Sequence, residues 1–383
     1  MKAIPFNQPT LAGTEIEYVR EAAAAGLASG GPFTARCEAW LRESTGALAV
    51  HLSHSGTGAL EASMILAGLG PGDEVIMPSF AYPTMATAAV RQGAEPVFAD
   101  IEAATLGLDP AWAEAAIGPR TKAIVAVHYG GIACQIEELA ALARANDLVL
   151  IEDAAQCIGA SCGGRALGAI GDLGVYSFHH TKNVTCGEGG ALLVSAESLC
   201  ERAELVWDKG TDRRRFERGE VDSYRWVESG SSFTASELSA AYLWGQLEIA
   251  EQIAERRRAI WQSYHEAFAE LEANGLARRP DVPGDRRHNG HLYYLLLPRA
   301  GDREPFIASL AADGVAATFH YVPLHDSPAG QRFGRVAGEM TQTDELSQRI
   351  VRLPLWADLD ADSVQRVIEA TQRAAERLAP AGA

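Results

Sequence analysis

The sequence predicts an α/β protein in which a mostly parallel, seven-stranded sheet is covered by helices and followed by a smaller α+β domain. Three observations carry that expectation. Seven short β-branched or apolar runs recur between residue 49 and about 195. Segments with helical spacing separate many of them, and a long helical pattern from Thr234 to Leu271 leads into a C-terminal stretch with its own strands and helices. At 383 residues and 47% hydrophobic content, the chain is long enough for one main core plus a second, smaller one.

The runs are "AVHLS", "DEVIMPS", "EPVFADI", "TKAIVAVH", "LVLIEDA", "GVYSF" and "ALLVS". Between them, "GALEASMILAGLG", "PTMATAAVRQGA", "PAWAEAAIG" and "IEELAALARAND" each place apolar residues at helical spacing and stop at Gly or Asn. The outer pairs of runs need not be parallel. The Thr234–Leu271 pattern reads as one helix linking a large domain, residues 1–248, to a C-terminal domain, residues 249–383. In the latter, "HLYYLLLP" and "AATFHYVP" read as strands, "REPFIASLAADG" as a helix, and Asp362 to about Leu378 as the final helix. The closing "APAGA" reads as a frayed tail.

A formal net charge of −17 repels nucleic acid and anionic membranes, so neither is an expected partner. The basic stretches "DRRRF" and "ERRRA" read as solvated faces, with an anionic substrate as the other use for one of them. The six cysteines form no CxxC pair, which suits free thiols in a reducing compartment and argues against zinc. The start "MKAIPFNQPTLAG" lacks an apolar signal core, and no apolar run approaches the roughly 20 residues a membrane helix needs. A cytoplasmic protein is the expectation.

In open α/β sheets, ligands sit beyond the carboxyl ends of the strands. After the first run, "SHSGTGAL" turns from strand into helix at Ser55, Gly56 and Thr57. These residues either cap the helix or present amides and a hydroxyl to a phosphate. "LVLIEDAAQ" places Asp153 at the end of a buried strand, where an ionised carboxylate needs a cationic partner, and strand alternation points Glu152 to the opposite face. "FHHTKNVTCGEGG" places Lys182 among turn-forming and neutral residues, with Ser177 just before it and glycines that allow close backbone approach just after. Pyridoxal phosphate calls for a lysine Schiff base and an acidic or basic partner at its ring nitrogen. Lys182 and Asp153 supply both, with desolvation and nearby cations lowering the lysine's pKa. Tyr82, in "PSFAYPT", is placed to stack on the ring or simply to pack. His179, His180, His320 and His325 taken singly read as hydrogen-bonding residues, and "HHTK" is not a metal motif.

With these residues in view, the chain resembles the DegT/DnrJ/EryC1/StrS sugar-nucleotide aminotransferases, which have the aspartate-aminotransferase type (fold type I) architecture. The likeness runs from "IPFNQP" and "GGPFTARCEAWL" through "SGTGAL", "PGDEVIMPSF", "IEDAAQ", "YSFHHTKN" and "GEGG" to "FHYVPLH" and "RLPLW". "VDSYRWVESGSSF", "AAYLWGQLE" and "FHYVPLHDSPAGQRFG" resemble the branch that makes dTDP-4-amino-4,6-dideoxygalactose for surface polysaccharide. The resemblance implies that Lys182 carries the cofactor and Asp153 pairs with the pyridine nitrogen. It further implies Gln156 by the ring's phenolic oxygen, Gly56, Thr57 and Ser177 at the phosphate, and Tyr82 over the ring. Family members are dimers in which a partner Asn completes the phosphate site. Here Ser232 stands at that position, as in the galactose-type branch, and serine still donates a hydrogen bond. His320 and Tyr321 are implied on the sugar-nucleotide side.

The implied reaction moves an amino group from L-glutamate to dTDP-4-keto-6-deoxyglucose. Three alternatives stand beside it. One is amination of a GDP-4-keto or a 3-keto sugar nucleotide. Another is a dehydratase, disfavoured because such relatives carry His where Lys182 stands. The third is a non-catalytic sensor of the same fold, disfavoured by the joint presence of Lys182 and Asp153.

Overall fold

The computed structural model describes residues 3–27 and 30–378. The "APAGA" stretch expected to fray lies outside the described residues. In chain order the strands are β1 (Ala49–Ser53), β2 (Glu74–Pro78), β3 (Glu95–Ala99), β4 (Thr121–Val127), β5 (Val149–Asp153), β6 (Ser161–Cys162), β7 (Arg165–Ala166), β8 (Leu173–Ser177), β9 (Gly190–Val194), β10 (Arg286–Arg287), β11 (Tyr293–Leu296), β12 (Arg335–Val336) and β13 (Ile350–Leu353). All seven predicted runs are strands of one sheet, ordered β1-β9-β8-β5-β4-β2-β3-β12. β9 is antiparallel to both neighbours, and the remaining pairs are parallel.

The sheet therefore has eight strands, not seven. β12 comes from the C-terminal half and pairs Arg335 with Val97 and Val336 with Phe98. Its anchor is electrostatic: the Glu74 side chain is almost fully buried and meets Arg335 at 3.0 Å as well as Arg120. A two-residue strand has no alternation to read in sequence, which is why this edge was not foreseen.

The inner strands are apolar throughout because helices cover both faces. Along β2, β4 and β5 the pleat divides the side chains by face. Ile76, Ile124 and Leu150 join a cluster with Leu139 and Ala113, whereas Val75, Met77, Val125 and Ile151 join another with Leu60, Met64 and Met85. Helices Pro110–Ala116 and Ile136–Ala145 thus lie on one side, and Gly56–Leu66 and Thr84–Arg91 on the other.

The Thr234–Leu271 pattern is not one helix. Ser236 caps a helix Glu237–Glu248, the backbone leaves helical geometry at Ile249 (φ −115°, ψ 12°), and Ala250–Ala267 and Ala269–Ala273 follow. The break lets one pattern serve two cores. Ala240, Leu243 and Leu247 pack under the large sheet, while Ile260, Trp261 and Tyr264 pack with the C-terminal elements. There β11 and β13 pair antiparallel and helices Arg303–Ala312 and Ala361–Leu378 cover them. Ile4 joins the same cluster and bridges to Val315.

"AATFHYVP", predicted as a strand, makes only the isolated bridge Thr318 to Arg352. The backbone is not laddered because this segment runs past the edge of the β11–β13 pair and across the mouth of the large sheet. No helix among the described residues is long and apolar enough to cross a membrane.

Candidate active site

Strand register aligns the site. β4 pairs Val127 with Asp153, and β8 pairs Val175 with Asp153, so His128, Asp153 and Ser177 emerge at one edge of the parallel strands. Beyond that edge lies a cavity of about 570 Å3, a volume ordinary for a cofactor or small-ligand site. Gly56, Thr57, Tyr82, Asp153, Gln156, Ser177, Lys182, His320 and Tyr321 all line it. Ser232 does not: it is exposed, and its backbone bridges to Asp208. A hollow of about 660 Å3 beside Arg144 and Asp172 contains none of the predicted residues.

Lys182 sits in the connection between the antiparallel strands β8 and β9. Phe178 N donates to Gly189 O and Cys186 N to Phe178 O, folding the loop back on itself, and Lys182 N closes a turn on His179 O at 2.9 Å. Gly187 takes φ +85°, which favours glycine. From the N-terminal segment, Asn7 donates to Thr181 O at 3.5 Å. Burial pushes the Lys182 amine below its ordinary pKa, against the pull of Asp153. Of the chain's four lysines, Lys182 alone among those described lines the cavity.

Asp153 is 9% exposed, and its carboxylate accepts one hydrogen bond, from Ala155 N at 3.1 Å. Burial raises its pKa, opposed by that amide and by Lys182. Among the described residues no cation forms an ion pair with it. A buried carboxylate with spare acceptor capacity, facing a cavity, fits a protonated ring nitrogen. Glu152 faces the other way: it accepts from Gly168 N, Ile170 N and Gly171 N at 2.6–2.8 Å and does not line the cavity.

The end of the cavity nearest β1 is an amide cradle. Ser55 caps the helix Gly56–Leu66, its Oγ accepting from Gly58 N at 3.0 Å, so capping is part of what this motif does. The amides of Gly56 and Thr57 belong to the positive end of that helix. Backbone packing there is close: a Cβ on Gly190 would fall 2.5 Å from Gly56 N, and one on Gly56 would fall 3.0 Å from Ser177 Cβ. Small residues thus let a helix N-terminus and the Ser177 hydroxyl stand side by side on the cavity wall, a pairing suited to an anion.

The opposite wall comes from the C-terminal half. His320 and Tyr321 stack at 4.0 Å, and Gln156 joins the walls by accepting from Gly130 N at 2.7 Å and donating to Tyr321 Oη at 3.1 Å. Tyr82 is 60% exposed, with its ring 6.4 Å from that of Tyr321. Sequence reasoning missed Arg352, which stands on β13 beneath this wall. Its guanidinium donates to His320 Nε2 and lies 4.6 Å from the Phe6 ring, while its Nε has no partner. No carboxylate among the described residues pairs with it. Because arginine only donates, His320 Nε2 accepts. Nδ1 then carries the proton toward Tyr129 Oη at 3.3 Å, and burial with the Arg352 charge pushes the ring's pKa down to about 2. Nothing in "RLPLW" said which face of its strand meets a cavity. His128 and His291 also line the site and were not singled out.

A lone lysine, a buried carboxylate and a helix-end cradle around one cavity are the groups that pyridoxal phosphate calls for. Comparison with known proteins agrees. The profile of the DegT/DnrJ/EryC1/StrS aminotransferase family matches residues 9–372. The spore coat polysaccharide biosynthesis protein SpsC of Bacillus subtilis is 34% identical over 377 residues, 96% of each chain. The crystal structure of the aminotransferase TlmJ from Streptoalloteichus hindustanus superposes with TM-score 0.89 at 32% identity, covering 98% of this chain and 100% of that one. Spr1654 from Streptococcus pneumoniae, a proposed sugar aminotransferase solved in PLP and PMP forms, gives 0.89 at 26% identity over 98% of each chain. The chain belongs to the DegT/DnrJ/EryC1/StrS family and is a pyridoxal-phosphate-dependent sugar aminotransferase.

Proposed function

We propose that the enzyme transfers the amino group of L-glutamate to C4 of dTDP-4-keto-6-deoxy-D-glucose, giving dTDP-4-amino-4,6-dideoxy-D-galactose and 2-oxoglutarate. The observation that carries the catalytic part is the convergence of Lys182, Asp153 and the Gly56–Ser177 cradle on one cavity with a guanidinium in its far wall that has no carboxylate partner among the described residues. The choice of sugar is supported by the galactose-branch motifs, "VDSYRWVESGSSF" and "FHYVPLHDSPAGQRFG". Incubating the enzyme with glutamate and a panel of nucleotide keto-sugars, and reading the C4 configuration by NMR, tests it. Turnover confined to a GDP-linked or 3-keto sugar overturns it.

Pyridoxal phosphate, when bound, supplies an electron sink that makes the carbon bearing nitrogen acidic. The chain's own groups do the rest. The Lys182 amine, whose pKa burial lowers, would hold the cofactor and is the group placed to take and return the proton at the reacting carbon. Asp153 would pair with the ring nitrogen, whose positive charge would favour the carboxylate against the burial that raises its pKa. The Gly56 and Thr57 amides and Ser177 Oγ receive the phosphate, Gln156 stands by the ring's oxygen, and Tyr82 covers one face. Arg352 would receive the donor's α-carboxylate: an amino acid in this cavity carries that group one bond from the carbon that loses its proton, and Arg352 shares the cavity wall with Lys182.

His320 and Tyr321 then contact the sugar nucleotide. Ser232, remote from the cavity of its own chain, serves the phosphate site of a second copy in a homodimer. We place the boundary between the domains at 248/249, beside the helix break at Ile249, and the enzyme in the cytoplasm.

A further inference from the structure

Asn183 directly follows Lys182 and is 6% exposed. Its carboxamide is committed at both ends: Nδ2 donates to Asn289 O at 3.2 Å, and Oδ1 lies 2.9 Å from His291 Nδ1. With the amide's nitrogen used as the donor, its oxygen must accept, and Nδ1 of His291 therefore carries the proton. Nε2 is the unprotonated nitrogen. It makes no hydrogen bond among the described residues, and His291 shares the cavity wall with Lys182. A second proton on this ring is opposed by burial and then by the neighbouring charges of Lys182, Arg257, Arg352 and His320, which hold its pKa well below the ordinary value. The bond to Asn183 thus fixes the tautomer.

The segment carrying His291 is itself immobilised. Asn289 Oδ1 accepts from His291 N at 3.0 Å, and its Nδ2 donates to Gln156 O at 2.8 Å and Ile158 O at 2.9 Å, which ties the segment to the loop after β5. Arg257 is 3% exposed and has no carboxylate partner among the described residues. It spends its guanidinium on three main-chain carbonyls: Gly290 O at 3.0 Å, His291 O at 2.6 Å and Leu355 O at 3.0 Å. Gly290 adopts φ +63°, and a Cβ there would fall 2.8 Å from the Arg257 carbonyl carbon. A buried cation satisfied only by backbone is costly to maintain, and here it fixes one short turn.

We propose that His291 is a positioning residue for Lys182: its Nδ1–H fixes the Asn183 carboxamide and thereby sets where the lysine's main chain enters the cavity. The amine's burial is then tied to the Asn289–His291 turn and, through Arg257, to the helix Ala250–Ala267. The inference rests on Lys182 being the cofactor lysine, but it concerns the lysine's environment before any cofactor arrives.

Two near-isosteric substitutions separate the nitrogens of His291. In His291→Asn the side-chain nitrogen takes about the place of Nδ1 and can still donate to Asn183; in His291→Gln it takes the place of Nε2 and cannot. The measurement uses protein freed of pyridoxal phosphate. Trace acetylation by acetic anhydride is followed against pH and quantified by peptide mass, with Lys122 and Lys209 as internal references. Wild type and His291→Asn should titrate Lys182 at the same depressed midpoint. His291→Gln should release the amine toward water and raise that midpoint, so that labelling near pH 8 falls about threefold or more relative to the reference lysines. Asn183→Ala, which removes the acceptor and leaves His291 in place, should behave as His291→Gln does. Melting curves of each variant confirm that the folded protein is being labelled. A His291→Gln or Asn183→Ala profile that coincides with wild type overturns the proposal, and so does a His291→Asn profile that coincides with His291→Gln. Failure of the cofactor assignment would show instead in reductive labelling of wild type, which this titration does not use.

Discussion

His128 Nε2 donates to Glu152 Oε2 at 2.8 Å, with both side chains fully buried, at the ends of adjacent strands and one residue away from Asp153. Cys134 N donates to the other ring nitrogen at 3.3 Å, which assigns the proton to Nε2. Burial works against the Glu152 carboxylate, but the hydrogen bond from His128 and the amides of Gly171 and Gly168 outweigh it and hold its pKa below the ordinary range. The pair locks β4 to β5 directly behind the cofactor carboxylate.

Glu152→Gln should therefore act on stability. The amide turns an NH2 toward main-chain donors and leaves His128 with a neutral acceptor, a loss of about 1.5–3 kcal/mol by the usual worth of buried hydrogen bonds to a charged group. Urea unfolding measures it. A loss below about 1 kcal/mol would show that the pair is not a lock.

Arg352→Gln should weaken binding of a five-carbon dicarboxylate. A charge-assisted hydrogen bond in a buried site contributes about 1.5–3 kcal/mol, a loss of about 10- to 100-fold in affinity. Calorimetry with glutarate and cofactor-free protein reads this without turnover. Unchanged affinity removes Arg352 from the donor subsite.

Asp153→Asn should leave the fold intact and lower the amination rate by about a hundredfold or more, because a neutral amide does not stabilise the protonated ring. Single-turnover kinetics with glutamate isolates that step. A rate equal to wild type would mean that another group holds the ring nitrogen.

Acid sensitivity should trace in part to His51. Both of its ring nitrogens are buried without a partner among the described residues, its ring lies 5.6 Å from that of Trp207, and burial pushes its pKa from 6.5 down to about 3. The unfolded chain takes up this proton below about pH 6.5 while the folded one does not. The stability is therefore complete above that pH and declines as pH falls toward 3. His51→Leu should match wild type at neutral pH and lose less on acidification, as melting temperatures between pH 7 and about 4 would show. Parallel declines would exonerate His51.

The sheet and the cavity-lining residues Lys182, Asp153 and Gly56 were legible because each leaves a local mark. Strands buried on both faces are continuous apolar runs, and Lys182, Asp153 and Gly56 stand at the turns that follow them. Arg352, Asn183 and His291 left none. Their roles depend on which face of β13 meets the cavity and on a contact between residues 183 and 291, and neither is set by local pattern. β12 was invisible for a related reason, since it is held by the distant carboxylate of Glu74. The Ile249 break was hidden because both halves of the pattern are good helix, and only the existence of two cores separates them.

The central claim is that Lys182 carries the cofactor, and the chain makes it simple to test because it has four lysines: Lys2, Lys122, Lys182 and Lys209. The protein is loaded with pyridoxal phosphate, reduced with borohydride, digested and analysed by mass spectrometry. The account predicts the phosphopyridoxyl group on Lys182 and no label above background on the other three. Label on a different lysine, or none on Lys182 in protein that has turned yellow with cofactor, would contradict it.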